Sequence, residues 1–140
     1  MFQSQGGGIG EGICLHNLFQ SLPFDLTLYN GGSVASIAVI AYLGAKRRKV
    51  SAYASFMIHR TQTTTTAANT QTVKAFAESA VLFDKNTEAI PRKHLIMPPE
   101  KWSHFNHNDL WFSAEEGVSY GIADGIAEFA PPPGTRLHTL

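Results

Sequence analysis

Apolar positions Ile9, Ile13, Leu15, Leu18 and Phe19 recur at roughly helical spacing, which predicts a helix over about 9–21, ended by Pro23. Phe24 to Tyr29 is rich in strand formers and reads as a strand, and Asn30-Gly31-Gly32 reads as a sharp turn. From Ser36 to Ala45 the chain is apolar on every side, the mark of a buried helix. Val50 to Tyr53 and Phe56 to Ile58 read as two short strands. A strand, a turn, a buried helix and further strands make an α/β layered unit.

The second half is more amphipathic. Thr61 to Thr66 is a polar, β-branched run that suits an exposed strand or a loop. From Ala67 to about Ala89, Val73, Phe76, Ala77, Ala80 and Phe83 form one stripe, predicting a long helix that packs on another subunit and stops at Pro91. Pro98 to Trp102 begins a short helix, with proline early as helix starts favour. Ser113-Ala114-Glu115-Glu116 is a capping box for a helix that ends at Gly121. Ile122 to Phe129 reads as a last strand, and Pro131-Pro132-Pro133-Gly134 leads into a mobile tail.

Composition narrows the class. The 140 residues suffice for one domain with its own core, expected over 1–130, with 131–140 as the tail. Lysine plus arginine (11) balance aspartate plus glutamate (11), so charge gives no reason to expect nucleic acid or a membrane surface as partner. The longest apolar stretch, Val34 to Ala45, is too short for a bilayer, which needs about 20 residues. No signal peptide is recognisable at the start. The single Cys14 excludes an internal disulfide and fits a reducing compartment, so a cytoplasmic location is expected.

Several polar residues stand beside structure breaks. Ser36 opens the apolar helix, where the positive helix end favours developing negative charge; a serine there also serves simply as a cap. His59 ends a strand and can face a cleft as a proton acceptor; the bland alternative is a surface or core histidine. Asp109 precedes a strand and can orient an imidazole, or can be a turn aspartate. Gly6 to Gly12 holds five glycines in seven positions, so its amides can approach a ligand closely. The amides of Gly7 and Ile37, the residue after Ser36, are the candidate oxyanion donors. His104-x-x-His107 supplies only two ligands, so no metal site is expected. Lys46 to Lys49 reads as a solvated basic turn.

These segments, taken in order, resemble the proteolytic subunit of the Clp protease (ClpP) and, more loosely, other members of the Clp/crotonase fold. Ser4-Gln5-Gly6-Gly7 resembles the family's Ser-Pro-Gly-Gly segment, with Gln5 where proline is usual. Gly32-Ser33-Val34-Ala35-Ser36 resembles the nucleophile segment and Phe56-Met57-Ile58-His59 the histidine strand. Asp109 to Glu116 resembles the acid segment, continued by Val118 to Asp124, and the similarity spans roughly residues 3–129.

The resemblance implies stacked ββα repeats with a protruding handle helix at 67–89, and an N-terminally truncated form of that fold. It implies a serine endopeptidase with the triad Ser36, His59 and Asp109, acting on peptides or unfolded proteins without metal or organic cofactor. It further implies homo-oligomeric rings and an ATP-dependent unfoldase as partner. The chain starts almost at the oxyanion loop, so the family's N-terminal helix and first strands have no counterpart. Thr61 to Thr66 stands where the family has a glycine-rich, substrate-binding strand, and Pro131 to Leu140 has no counterpart. Two other readings follow: an inactive assembly subunit, and a crotonase-type enzyme acting on acyl thioesters through the paired amides.

Overall fold

A computed structural model describes residues 1–62, 64, 66 and 69–136. The elements are β1 (Phe2–Ser4), α1 (Ile9–Ser21), β2 (Thr27–Ala35), α2 (Ile37–Tyr42), β3 (Arg47–Val50) and β4 (Ser55–Ile58). They continue with α3 (Thr70–His94), α4 (Pro99–Phe105), β5 (Leu110–Phe112), α5 (Ala114–Ser119) and β6 (Gly125–Ile126). The strands form a six-stranded sheet in the order β5-β4-β2-β3-β6, with β1 also on β2. Every pairing is parallel except β4 with β5. The α/β class expected from the sequence is therefore the one observed.

The longest strand overrides a local turn signal. Asn30-Gly31-Gly32 is not a turn; it lies inside β2. There β2 changes partner, matching Thr27–Asn30 with β3 and Ser33–Ala35 with β4. Asn30 is fully buried, donates to the Ser55 carbonyl at 2.9 Å and accepts from the Gly32 amide at 3.0 Å. Its side chain thus satisfies backbone groups at the point where the ladder changes partner. β1, which the sequence pattern did not reveal, runs alongside both halves of β2.

All six residues of α2 are buried, as its uniform apolarity requires. They pack on α1 and against a core built from Val34, Tyr42, Val50, Phe56, Phe112 and Ile122. Tyr42 takes its hydroxyl into that core by donating to the Lys49 carbonyl at 2.6 Å.

Other boundaries move for identifiable reasons. The basic run is not a free turn: Arg47–Val50 is β3, with Arg48 paired to Asp124 at 3.0 Å. Tyr53, expected in that strand, lies in a turn. α3 continues through Pro91 to His94. Pro91 forfeits one backbone bond to the preceding turn, but its ring is buried and its carbonyl accepts from the Leu95 amide at 2.7 Å. Arg92, Lys93 and His94 then complement the negative helix end. Ala67 and the middle of the threonine run fall outside the described residues. The stripe residues Val73 and Phe76 are exposed, as are Val81 and Leu82, and Pro91 alone among the described residues of α3 is buried.

The capping box of α5 forms as expected, Ser113 accepting from the Glu116 amide and Glu116 from the Ser113 amide. Gly121 follows with φ 84°, the left-handed conformation that ends a helix. The last strand is shorter than the pattern suggests, because Ile122 and Ala123 serve the core in a turn and only Gly125–Ile126 pairs.

Candidate active site

The site lies at the carboxyl ends of β2 and β4. Ala35 pairs with Met57 across the parallel ladder, and the Ser36 amide donates to the Met57 carbonyl at 2.7 Å. Neighbouring strands lie about 4.8 Å apart, so side chains just past these ends can meet. Ser36 and His59 do: Ser36 Oγ lies 2.8 Å from His59 Nε2.

Ser36 is held in an unusual backbone conformation, φ 58° and ψ −133°, and is the only non-glycine residue with positive φ among the described residues. This sharp strand-to-helix turn lifts the hydroxyl out of the sheet. Its side chain caps no amide of α2, so the bland reading of Ser36 as a helix cap fails. Gly6, with φ 104°, lies against Ser36 and leaves no room for a larger residue.

His59 Nδ1 lies 2.5 Å from the carbonyl oxygen of Arg60. A carbonyl only accepts, so Nδ1 carries the proton and Nε2 presents its lone pair to the serine hydroxyl. That tautomer is the one a general base toward Ser36 requires.

Asp109 is not bonded to His59. The antiparallel register pairs Ile58 with Leu110, and one further step along it sets Asp109 across from His59. Both residues line one solvent-open hollow beside the Ser36–His59 pair. The Asp109 side chain is exposed, however, and the Arg60 carbonyl occupies the ring nitrogen expected for it. Two of the three expected side-chain partners are joined, and the third stands nearby, unjoined.

Gly7 and Ile37 both border the cleft in front of Ser36. The Ile37 amide is the first of α2, where a helix has no internal acceptor for it. Ile9, Ile40, Ile58, Pro91 and Phe105 give the cleft an apolar part, and Arg60, Thr61, Gln62 and Thr87 a polar one. No group of three or more metal-ligating side chains is assembled among the described residues, His104 and His107 included. No helix among them is long and apolar enough to cross a membrane.

Sequence reasoning missed Arg60 as part of the site. Arg60 Nη1 lies 2.6 Å from Glu88 Oε2 on α3, Nη2 donates to Asn106 Oδ1, and the guanidinium sits 5.2 Å from the centre of the Phe105 ring. The only local signal was a cation directly after the histidine.

A mostly parallel α/β sheet thus places a strained serine at one strand end and a histidine at the next. The chain matches the model of the family described as Clp protease over residues 1–130, and it belongs to that family. It is 32% identical over 124 residues to the ATP-dependent Clp protease proteolytic subunit of Streptococcus pneumoniae, covering 86% of this chain and 63% of that one. With ATP-dependent Clp protease proteolytic subunit 3 of Streptomyces coelicolor it shares 24% identity over 127 residues, 89% of this chain and 58% of the relative. The chain thus spans about three-fifths of the length of these curated relatives. Its fold is also that of an asparagine-to-aspartate mutant of ClpP1 from Listeria monocytogenes. The TM-score is 0.77 at 22% identity, over 91% of this chain and 71% of the other. The ClpP-type fold that the resemblance implied is borne out.

Proposed function

We propose that this protein is a serine endopeptidase acting on peptides or unfolded protein segments. The observation that carries the reading is the 2.8 Å contact between Ser36 Oγ and His59 Nε2, with the ring in the accepting tautomer. Ser36 attacks the peptide carbonyl carbon while His59 Nε2 takes the hydroxyl proton. The amides of Gly7 and Ile37 receive the negative oxygen of the tetrahedral intermediate, each worth about 3 kcal/mol where such donors have been removed elsewhere. His59 then delivers its proton to the leaving amine, and water repeats the sequence to free the acyl group from Ser36. Asp109, across from His59 in the β4–β5 register, supplies negative charge that favours the imidazolium formed in each transition state.

The proposal includes assembly. The exposed apolar residues of α3 are suited to cover another copy of the chain, giving homo-oligomeric rings, and an ATP-dependent unfoldase would feed them. This expectation follows from family membership and from the exposed apolar residues Val73, Phe76, Val81 and Leu82 of α3.

A fluorophosphonate probe tests the reading: it labels Ser36 in the folded protein, and Ser36→Ala abolishes both labelling and peptide hydrolysis. A well-folded, assembled protein that never labels would refute it. The unjoined Asp109 favours one second reading, an assembly subunit without turnover; hydrolysis that disappears with Ser36→Ala eliminates that reading.

A further inference from the structure

The geometry points to Arg60 as a positioning residue: its clamped side chain holds its own carbonyl against His59 Nδ1, so a backbone group sets the imidazole tautomer. This rests on the hydrolase reading and deepens it.

A carbonyl can orient a ring only if its peptide plane is fixed. Arg60 lies two residues past the end of β4, where the sheet no longer holds the backbone. Its side chain supplies the missing constraint from two elements. Glu88 grips it from α3 at 2.6 Å, and Glu88 is itself held by Arg92 at 2.6 Å. Arg92 in turn lies over Trp102 of α4 at 4.3 Å. On the other side Asn106, which caps the end of α4, accepts from Nη2, and Phe105 presents its ring face. A guanidinium presents several donors fixed in one plane and so holds both jaws in a set geometry; an ammonium, a point charge on a flexible stem, holds them less rigidly. The next residue is pinned as well, the Thr61 amide donating to Asp84 Oδ1 at 2.9 Å. The peptide carrying the Arg60 carbonyl is thus anchored on both sides.

The test compares wild type with Arg60→Ala, Arg60→Lys and Asn106→Ala. Nitrogen-15 NMR of the His59 ring reads the tautomer, and fluorophosphonate labelling and peptide kinetics read the chemistry. Wild type should hold the proton on Nδ1. Arg60→Ala should mix the tautomers and lower kcat and the labelling rate about 10-fold, a fraction of a general base's usual effect, with KM nearly unchanged. Arg60→Lys, which holds the jaws less rigidly, should recover part of the loss. Asn106→Ala, a change at an exposed side chain, should give a smaller loss in the same direction and serves if Arg60→Ala does not fold. Lowered thermal stability with the wild-type tautomer and kcat per folded molecule would overturn the assignment, leaving Arg60 as a structural ion pair. Absence of labelling in wild type would instead sink the hydrolase reading, while the tautomer measurement would still decide what Arg60 does.

Discussion

Gly6 and Ser36 are packed so closely that no side chain fits at Gly6 while Ser36 keeps its place. A Cβ on Gly6 would lie 2.7 Å from Ser36 Cβ and 3.1 Å from its Oγ, and Gly6 has φ 104°. The glycine loop is therefore the wall that sets where the serine hydroxyl points. Gly6→Ala must push the Ser36 side chain or the loop aside. A displacement of about 1 Å can cost 10²-fold in rate, so labelling of Ser36 should slow by about that factor. Stopped-time labelling with the probe measures it, and a rate within twofold of wild type would show that the loop yields freely.

Ser36 itself stores backbone strain. A non-glycine residue in its conformation costs of order 1–3 kcal/mol, and glycine relieves most of that. Ser36→Gly should therefore abolish labelling and raise folding stability by about 1 kcal/mol, whereas Ser36→Ala abolishes labelling and keeps the strain. Urea unfolding of the two variants side by side distinguishes these outcomes. Equal midpoints would contradict the strain argument.

Asp109→Asn should be a mild change. Where a carboxylate alone sets the histidine tautomer, its amide replacement costs about 10⁴ in kcat. Here the Arg60 carbonyl already occupies Nδ1, so the loss should be limited to the electrostatic support of the imidazolium, about 10- to 100-fold. Steady-state hydrolysis of a fluorogenic peptide gives the number. A fall near 10⁴ would mean that Asp109, not Arg60, holds the ring during turnover.

Acid sensitivity should trace in part to His94, which does not line the cleft. Burial, and then the nearby Arg48, His16 and Lys93, push its pKa down from 6.5 to about 4. Its Nδ1 lies 3.4 Å from Arg48 Nη1, and its ring meets that of His16 edge-on at 6.0 Å. The unfolded chain binds this proton near the ordinary pH and the folded chain only near pH 4. Stability from this group is thus full above about 6.5 and falls as pH drops toward 4. His94→Asn, which keeps an acceptor for Arg48, should flatten that part of the stability profile. Urea midpoints at pH 7 and pH 4.5 for both proteins provide the check; parallel profiles would refute it.

The candidate site left only weak local marks. Ser36 stands between small residues and an apolar helix, His59 closes an apolar strand, and a capping serine follows Asp109 by four positions, each equally compatible with a plain structural role until the resemblance to ClpP joined them. Helix α1 and the α5 cap follow equally from periodicity and from a serine spaced three residues from a glutamate. What failed were signals that long-range pairing outvotes. Asn30-Gly31-Gly32 carries turn chemistry, yet three partner strands and the Asn30 side chain hold it extended. Pro91 carries a stop signal, yet burial of its ring keeps the helix running.

The order of apolar and polar residues by itself determined the layered α/β class and the buried α2, because those depend on what each short segment can bury or expose, while Ser36 and His59 stood out as candidates only together, through the resemblance to the Clp protease family. Only the tertiary structure decided that the imidazole leans on the carbonyl of Arg60 and not on Asp109. That choice depends on which distant groups reach the guanidinium, and Glu88 and Asn106 approach it from separate helices that no local pattern connects.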